Sequence, residues 1–432
     1  MKILIISHVP VSTQNNMGKT FLSLFSAFEK QELCQLYIYP AIPNVDRCSS
    51  YYRVTDKEVL KSLPFGKPGG ELDRSLIRET AGMYEHAQDE SFYRSRRNKS
   101  ALRRLLRDGM WQCSRWNNER LAAWLDQEKP GCIFVAPGVA KFIYDVALTI
   151  SKERNLPIVS YICDEYYFVR KPDSALDRLR LRLLQNKIRQ LMQASSRLVV
   201  ISEELRREYT AEFAIAADTL MTGAGMAAAE RPRTVNMPEE ICYFGNIRCN
   251  RYLSLAEIGR SLDKINLEHG THVKLKIYTA EKNQDILNVF SGIRSVELCG
   301  FLTGEAFRER FRNAQLLLHT EAFDDASVDF VQHSISTKIA DSLASGIPLL
   351  AYGPEQISSM QHLIRNDCAL TAVTPEELPG MLTRALFDEA EAARVAGNAL
   401  AVAERYHSGE ESSRKLKKIL EEAAGCQPSE KG

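Results

Sequence analysis

The stretch SISTKIADSLASGIPLLAYGP, residues 334–354, predicts a helix that leads directly into a buried strand. Ser336 or Thr337 can cap the start of the helix, and Gly346 suits the left-handed position that follows a last helical turn. The apolar run Leu349–Tyr352 comes next and is long enough for a strand. A helix joined this closely to an uninterrupted apolar strand is typical of a parallel sheet with helical crossovers.

Short apolar runs of the same kind recur along the whole chain. In the first half they are Ile3–Ser7, Gln35–Tyr39, Cys132–Val135, Ile158–Cys163 and Leu198–Ile201. In the second half they are Ile241–Phe244, Val273–Tyr278, Ser295–Leu298, Gln315–His319 and Leu349–Tyr352. Because near-continuous apolar runs indicate strands covered on both faces, we predict parallel sheets with helices on each side. Two such series predict two doubly wound α/β domains rather than one large sheet.

The domain boundary is predicted where both periodicities stop, from the TGAG segment at 222–225 onward. Residues 1–225 are assigned to an N-terminal domain, with an insertion at about 45–125 that is poor in strands. Residues 226–405 are assigned to a C-terminal domain, and 406–432 to a charged amphipathic helix and a tail. Ligands of open parallel sheets bind beyond the carboxyl ends of the strands, so we expect the ligand in a cleft between the two domains.

The composition argues against several classes of protein. The chain has 432 residues with 56 lysines and arginines against 55 aspartates and glutamates, so its net charge of +1 argues against a nucleic-acid partner. No run approaches the roughly 18 apolar residues of a membrane span, and the apolar start at Ile3–Ile6 is shorter than a signal-peptide core. Ten scattered cysteines without a CxxC pair argue against structural zinc and for a reducing compartment, which predicts a cytoplasmic protein.

Lys338 falls in the first turn of the predicted helix, where the helix dipole makes a cation unfavourable by about 0.3–1 kcal/mol. A bound phosphate would reverse that cost, because free N–H groups, the hydroxyls of Ser336 and Thr337 and the ammonium would all face one anion. Asp341 lies on the same face one turn later and can accept hydrogen bonds from a ribose diol. The alternative is a capped helix with an intrahelical pair between Lys338 and Asp341.

A second anion site is predicted after the strand Ile241–Phe244. Gly245 and Asn246 follow the strand and let the backbone approach a ligand closely. Arg248 and Arg251 then precede an amphipathic helix, and Arg251 is the better candidate for contact with a pyrophosphate. The alternative is a tight turn with solvated arginines.

The loop after the first strand is similar to a P-loop at first sight, but a P-loop would have glycine where this chain has Thr13. A nucleoside triphosphatase is therefore disfavoured. What remains is a strand, a polar loop and a helix start, which suit contact with acceptor or donor phosphates through Gly18, Lys19 and Thr20. The alternative is that these residues only cap the helix.

Asp164 and His333 are further polar residues near predicted strand ends, and both are candidate catalytic residues. Each also has an ordinary alternative. A lone histidine commonly has a structural role, and Asp164 can belong to a plain loop.

Two segments of the first half are strongly basic. Residues 94–120 carry nine lysines and arginines against two acidic residues, and 170–197 carry eight against two. The second segment also places Leu176, Leu179 and Leu183 at roughly helical spacing. Basic amphipathic helices bind anionic membrane surfaces, with about 1 kcal/mol from each basic residue near the surface. The alternative is a solvated face of helices packed on the first domain.

Four segments, in their order along the chain, resemble the GT-B glycosyltransferases of the family 4-like group. SSRLVVISEELRREY, with TGAG after it, resembles the last strand and helix of that group's N-terminal domain, and ICYFGNIRCNRYLSL resembles the opening of its C-terminal domain. STKIADSLASGIPLLAYGP resembles its donor-site motif, and YHSGEESSRKLKKILEEA resembles the terminal helix that crosses back to the first domain. The resemblance implies a GT-B fold, with two Rossmann-like domains whose parallel sheets face across a cleft.

The resemblance also implies roles for particular residues. Gly245, Arg251 and Lys338 would bind the diphosphate of a nucleotide-sugar donor, and Asp341 would bind its ribose. The group often carries two glutamates separated by seven residues, and this chain has His333 and Asp341 at those positions. The implied reaction retains anomeric configuration and needs no metal, and the sequence has no DxD motif. We expect no cofactor besides the nucleotide-sugar co-substrate.

The sequence therefore predicts a cytoplasmic glycosyltransferase that moves a sugar from a nucleotide-diphosphate donor to a glycan or lipid-linked acceptor. We expect a role in cell-surface polysaccharide synthesis and a peripheral position on the inner face of the membrane. Two alternatives stay open. One is a catalytically silent GT-B partner subunit, because His333 and Asp341 replace the group's glutamates. The other is a sugar-nucleotide 2-epimerase of similar architecture.

Overall fold

The computed structural model describes residues 1–13, 15–77, 101–168, 172 and 174–425. The chain divides into two compact units. Unit 1 comprises Met1–Thr222 together with Gly409–Gly432, and unit 2 comprises Gly223–Ser408. The limits predicted from the sequence lie after residues 225 and 405, close to the divisions after 222 and 408.

Unit 1 is built on an eight-stranded sheet. Its strands are β1 (Ile3–Ser7), β2 (Leu33–Tyr37), β3 (Ser50–Arg53), β4 (Gly70–Glu71), β5 (Cys132–Ala136), β6 (Ile158–Ile162), β7 (Ser195–Val200) and β8 (Ala217–Thr219). They lie in the order β4-β3-β2-β1-β5-β6-β7-β8, and every neighbouring pair is parallel except β3 with β4. The order runs outward from β1 in both directions, as a doubly wound domain requires.

Helices cover both faces of this sheet. They are α1 (Asn16–Leu24), α2 (Asp56–Ser62), α3 (Ala101–Gln112), α4 (Glu119–Glu128), α5 (Lys141–Arg154), α6 (Ala175–Ala194) and α7 (Glu203–Phe213). Leu4 and Ile6 pack into the core on one face of β1, and Ile3 and Ile5 into the core on the other. Side chains alternate along a strand, so an uninterrupted apolar run supplies both cores. This confirms the prediction of strands buried on both faces.

The insertion at about 45–125 contains more strand than the sequence suggested. Within it, β3 and β4 extend the sheet beyond β2. Tyr51 and Tyr52 of β3 are buried in the cores on opposite faces, although SYYR is too short and too polar to stand out as an apolar run. β4 has two residues and pairs antiparallel with β3. Residues 78–100 of the insertion lie outside the described part of the chain.

Unit 2 is built on a six-stranded parallel sheet. Its strands are β9 (Glu240–Phe244), β10 (Lys274–Tyr278), β11 (Val296–Gly300), β12 (Leu316–Thr320), β13 (Leu349–Tyr352) and β14 (Leu370–Ala372). They lie in the order β11-β10-β9-β12-β13-β14. All ten predicted strands are present in the two units. The sequence analysis missed β8 and β14, which have three residues each and are too short for a periodic signal.

The helices of unit 2 are α8 (Arg251–His269), α9 (Gln284–Leu287), α10 (Gly304–Arg312), α11 (Asp325–Val331), α12 (Thr337–Ala344), α13 (Ser358–Arg365), α14 (Leu378–Phe387) and α15 (Glu389–Tyr406). The prediction for Gly346 is confirmed, because this residue follows α12 with a φ of +70°. A Cβ at Gly346 would also lie only 2.7 Å from the Arg231 carbonyl oxygen. Glycine is therefore required there by backbone conformation and by space.

The last helix, α16 (Gly409–Ala423), belongs to unit 1. Leu416 and Leu420 are fully buried in the same core as Ile3 and Ile5 of β1. At its edge, Lys417 Nζ lies 2.8 Å from a Glu32 carboxylate oxygen. The chain therefore leaves unit 1 after β8 and returns to it with α16.

Candidate functional site

The predicted donor-side residues lie in unit 2, in the segment that follows β9 and in the first turns of α12. β9 and β12 are neighbours in the sheet, so their carboxyl ends lie side by side. The buried His319 at the end of β12 is influenced by the charges of both Arg251 from α8 and Lys338 from α12. The segments therefore adjoin one another.

Gly245 brings the backbone after β9 against Lys338. A Cβ placed on Gly245 would lie 3.3 Å from the Lys338 Nζ atom and 3.2 Å from the Tyr243 hydroxyl. That hydroxyl donates a hydrogen bond of 2.6 Å to the Asn246 carbonyl oxygen and so supports the turn. The ammonium and the glycine backbone, predicted at two separate anion sites, lie together in one place.

The first turn of α12 lacks a side-chain cap. Ser336 occupies the N-cap position, but its side chain makes no capping hydrogen bond in the described structure, and the turn carries no acidic residue. The predicted cap by the Ser336 side chain is therefore wrong. N–H groups at an uncapped helix start, next to the Lys338 ammonium, favour an anion.

Arg251 differs most from its predicted role. Its Nε and Nη2 atoms donate to both carboxylate oxygens of Glu321, at 2.7 and 3.0 Å, and its Nη1 atom donates to Asn246 Oδ1 at 3.2 Å. Burial alone would lower the pKa of Arg251, but the Glu321 carboxylate raises it. In this structure Glu321 therefore neutralises the cation that was expected to contact a diphosphate.

His319 and Glu321 are functional candidates that the sequence analysis missed. Burial lowers the pKa of His319 to about 4, against the opposing influence of the Glu321 carboxylate. The His319 Nε2 atom lies 3.2 Å from the Ser359 hydroxyl. The sequence signal that could have found them is their position. His319 and Glu321 lie at the carboxyl end of β12, which is next to β9 in the sheet.

Asp341 contacts the start of unit 2. Its Oδ1 atom accepts a hydrogen bond of 2.7 Å from the Gly225 backbone N–H. Gly225 ends the TGAG segment, which the sequence analysis used for the domain boundary and for the family resemblance but not for the site. The bond fixes one carboxylate oxygen of the residue predicted to bind ribose.

The two candidate catalytic residues lie in different units. His333 is buried in the connection between α11 and α12 of unit 2. Asp164 follows β6 of unit 1, where its Oδ2 atom accepts a hydrogen bond of 3.2 Å from the Tyr166 hydroxyl. A catalytic role for either residue stays a prediction.

Gly18, Lys19 and Thr20 lie inside α1 and not in a loop. A Cβ at Gly18 would come within 2.4 Å of the Ser12 carbonyl oxygen, so glycine is needed for packing. The buried Thr20 hydroxyl donates to the Asn16 carbonyl at 3.1 Å. Of the three, Lys19 alone is exposed.

The predicted basic segments form α3 and α6 where the structure describes them, and their residues 94–100, 170–171 and 173 lie outside it. The two helices pack together. Between them they expose a leucine stripe, composed of Leu102, Leu106, Leu176, Leu179 and Leu183, with each side chain 39–64% exposed. No helix in the described ranges is long and apolar enough to span a bilayer. Nor do those ranges contain three or more histidine, cysteine, aspartate or glutamate side chains grouped to hold a metal ion.

No family model matches the chain, and no curated protein matches its sequence. Solved structures do match it over nearly its whole length. HepE from Anabaena, crystallised with UDP, gives a TM-score of 0.63 at 11% identity and covers 98% of this chain and 100% of its own. Sucrose-phosphate synthase from Thermosynechococcus elongatus gives 0.60 at 12% identity, with 98% and 99% covered.

A third match is WaaG, a glycosyltransferase involved in lipopolysaccharide biosynthesis, with a TM-score of 0.53 at 13% identity and 97% and 99% covered. Because the sequence identities are this low, the structural matches establish the fold and not the activity. The chain has the GT-B glycosyltransferase fold, as its resemblance predicted.

Proposed function

We propose that the chain is a glycosyltransferase that moves a sugar from a nucleotide-diphosphate donor to a glycan or lipid-linked acceptor in cell-surface polysaccharide synthesis. The observation that carries this proposal is the meeting of Lys338, the uncapped start of α12 and the Gly245 backbone. A cation, helix N–H groups and a closely approaching backbone together suit a diphosphate. The complex of HepE with UDP supports a nucleotide donor in the same fold.

In the proposed reaction the acceptor hydroxyl oxygen bonds to the anomeric carbon while the bond from that carbon to the diphosphate breaks. The hydroxyl proton leaves on a diphosphate oxygen, and anomeric configuration is retained. Lys338 and the first N–H groups of α12 stabilise the charge that accumulates on the diphosphate, without reorganisation during the reaction. Ser336, Thr337 and Asn246 supply further hydrogen bonds, and Asp341 accepts from the ribose hydroxyls. No metal or strong general base takes part.

The acceptor reaches the protein at a membrane surface in this proposal. The leucine stripe on α3 and α6 is accompanied by the exposed arginines Arg103, Arg178 and Arg182. Apolar side chains that insert between headgroups, with cations beside them, suit an anionic lipid surface. A lipid-linked acceptor would be presented at that surface, on the cytoplasmic side.

The test is nucleotide binding by Lys338→Ala. Thermal shift with UDP, GDP, TDP and ADP first identifies the nucleotide, and calorimetry then gives its affinity. Loss of a hydrogen bond to a charged group costs about 1–3 kcal/mol, so we expect binding to weaken about 5- to 150-fold. Lys264→Ala, which removes an exposed lysine of α8, is the matched control. Equal affinity in the two variants would place the diphosphate elsewhere.

A catalytically silent GT-B partner subunit is the second candidate. The pairing of Arg251 with Glu321 favours it, because one predicted diphosphate contact is neutralised. His333 at the position of a family glutamate favours it as well. Incubation with a panel of sugar nucleotides separates the two candidates. Slow hydrolysis of the donor supports the transferase, whereas the absence of nucleotide binding supports the silent subunit.

A further inference from the structure

The chain enters unit 2 next to the residue proposed to bind the ribose of the donor. Unit 2 begins at Gly223, and two residues later the Gly225 backbone N–H donates a hydrogen bond of 2.7 Å to Asp341 Oδ1. Asp341 lies within α12, 116 residues further along the chain. One hydrogen bond therefore joins the entry of the chain to the proposed ribose contact.

Backbone bonds fix the entering chain on both sides of Gly225. Before it, the Ala224 N–H donates to the His407 carbonyl oxygen at 2.9 Å. After it, the Ala229 N–H donates to the carbonyl oxygen of Ala344, the last residue of α12, at 2.8 Å. Because these bonds are made by the backbone, they hold the Gly225 N–H in place independently of the carboxylate that it contacts. The entering chain thus presents a fixed donor to a side chain that can rotate.

A carboxylate that binds a ribose diol must hold its oxygens in one direction. The two oxygens offer about four lone-pair sites, so Asp341 can accept from the Gly225 N–H and from ribose hydroxyls at the same time. A hydrogen bond to an ionised acceptor is stronger than one between neutral groups. The Gly225 N–H therefore restricts rotation of the carboxylate before a ligand arrives, which reduces the entropy lost on binding.

We propose that the Gly225 N–H positions the Asp341 carboxylate, so that this chain selects ribonucleoside over 2′-deoxyribonucleoside diphosphate donors. The inference rests on the proposed function and deepens it by naming the class of donor. Gly225 is a positioning residue, because it acts through Asp341 and touches no reacting atom. By linkage, a bound ribose also stabilises the bond between Asp341 and Gly225.

The probes are UDP and 2′-deoxy-UDP, titrated by calorimetry into the full chain and three variants. Gly225→Pro removes the N–H and puts a ring carbon in its place. Gly225 is exposed and, unlike Gly346, does not have a positive φ, so its backbone conformation does not by itself exclude proline. Gly225→Ala is the matched control, because it keeps the N–H and its Cβ would lie at an ordinary 3.5 Å from Asp341 Oδ1. Asp341→Ala gives the preference that remains without the carboxylate.

We expect the natural chain and Gly225→Ala to bind UDP about tenfold or more tightly than 2′-deoxy-UDP, because the missing hydroxyl bonds to a charged group. In Gly225→Pro and Asp341→Ala the preference should fall below about threefold. No preference in the natural chain, or an unchanged preference in Gly225→Pro, would overturn this inference and leave the donor proposal standing.

The nucleotide screen under the proposed function decides the remaining outcomes. If GDP or ADP binds best, that nucleotide and its 2′-deoxy form replace the uridine pair. If TDP binds best, the inference is overturned, because the sugar of TDP is 2′-deoxyribose. If the natural chain binds none of the four nucleotides, the donor proposal fails and this inference fails with it.

Hydrogen exchange of the Gly225 amide in the natural chain tests the same bond without a substitution. Mass spectrometry with fragmentation to single residues measures it at saturating UDP and at saturating 2′-deoxy-UDP. We expect UDP to slow the exchange, and to slow it more than 2′-deoxy-UDP does. Faster exchange with UDP would mean that the ribose displaces Gly225 from Asp341, and equal rates with the two nucleotides would mean that the bond does not sense the ribose. Either result would overturn the inference.

Discussion

Arg251 is a predicted diphosphate contact whose charge is neutralised by one buried partner, Glu321. Its side chain is 16% exposed and that of Glu321 is 5% exposed, so water screens their attraction weakly. A charge that is taken from water and left unpaired is costly, and a bidentate carboxylate offsets that cost. The pair joins the start of α8 to the end of β12. It is therefore part of the support of the candidate site.

Glu321→Ala should lower the free energy of unfolding by about 3–5 kcal/mol, because it leaves a buried guanidinium without its carboxylate. Glu305→Ala is the control, because Glu305 pairs with Arg308 at the surface, where the two side chains are 67% and 49% exposed. This substitution should change the free energy of unfolding by less than about 1 kcal/mol. Urea unfolding followed by circular dichroism measures both. A small loss in both variants would mean that Arg251 is solvated in solution.

Single residues of the site were predictable where local chemistry is unusual. Lys338 stands out because a cation in a first helical turn is unfavourable, and Gly245 because it follows an apolar strand. Glu321 was not predictable, because its importance comes from Arg251, which lies 70 residues away. Gly18 and Thr20 looked like ligand contacts only because the packing of α1 against Ser12 cannot be read from the sequence.

At the scale of elements, α16 depends on unit 1 for its stability. Leu416→Ala should lower the free energy of unfolding of unit 1 by about 2–5 kcal/mol, because Leu416 is fully buried there. All three tryptophans of the chain lie in unit 1, so their fluorescence reports its unfolding. Leu267→Ala, at a leucine of α8 that is 86% exposed, should change little. An unchanged fluorescence transition in Leu416→Ala would mean that α16 is not docked.

The leucine stripe makes α3 and α6 the elements to test for membrane binding. Leu179→Glu should reduce co-sedimentation with anionic vesicles at least tenfold, because it removes an inserting side chain and adds a repelled charge. Leu267→Glu makes the same change on another exposed helix and should have no effect. Equal binding of the natural chain to neutral and anionic vesicles would contradict an electrostatic contribution.

Elements were predictable from sequence in proportion to their length and periodicity. Strands such as β1 and β13 were placed at their observed ends, because each contains four consecutive apolar residues. β3 and β4 were not, because the pairing of β3 with β2 and of β4 with β3 decides them and their local pattern is weak.

At the scale of the whole molecule, the fold is retained although sequence identity to HepE, sucrose-phosphate synthase and WaaG is only 11–13%. Apolar periodicity, strand order and helix ends are enough to specify two parallel sheets. They do not specify the donor sugar or the acceptor, which depend on a few side chains at the ends of strands. This is why the two sheets could be predicted while β3, β4, β8 and β14 could not, and why the candidate site could be predicted only in part.

The two units should differ in their response to acid. In unit 2, burial lowers the pKa of His319 to about 4 and that of His362 to about 3. Both stay neutral when folded at pH values where the unfolded chain binds protons, so stability is lost as pH falls below about 6.5. In unit 1, burial lowers the pKa of His8 to about 4 but raises that of Asp108 to about 6. As the pH falls, Asp108 takes up a proton in the folded state at a higher pH than in the unfolded chain. This uptake stabilises the folded state and offsets the loss of stability from His8.

Between pH 6.5 and 5.0 we therefore expect unit 2 to lose about 3 kcal/mol of unfolding free energy, from two histidines, and unit 1 to lose less than about 1 kcal/mol. Hydrogen exchange followed by mass spectrometry measures the opening of each unit separately. His362→Gln should remove about half of the pH dependence of unit 2 and leave that of unit 1 unchanged. Asp108→Asn removes this offset. The unfolding free energy of unit 1 should then fall by about 1.5 kcal/mol between pH 6.5 and 5.0. An equal loss in both units of the natural chain would contradict the assignment of these buried groups.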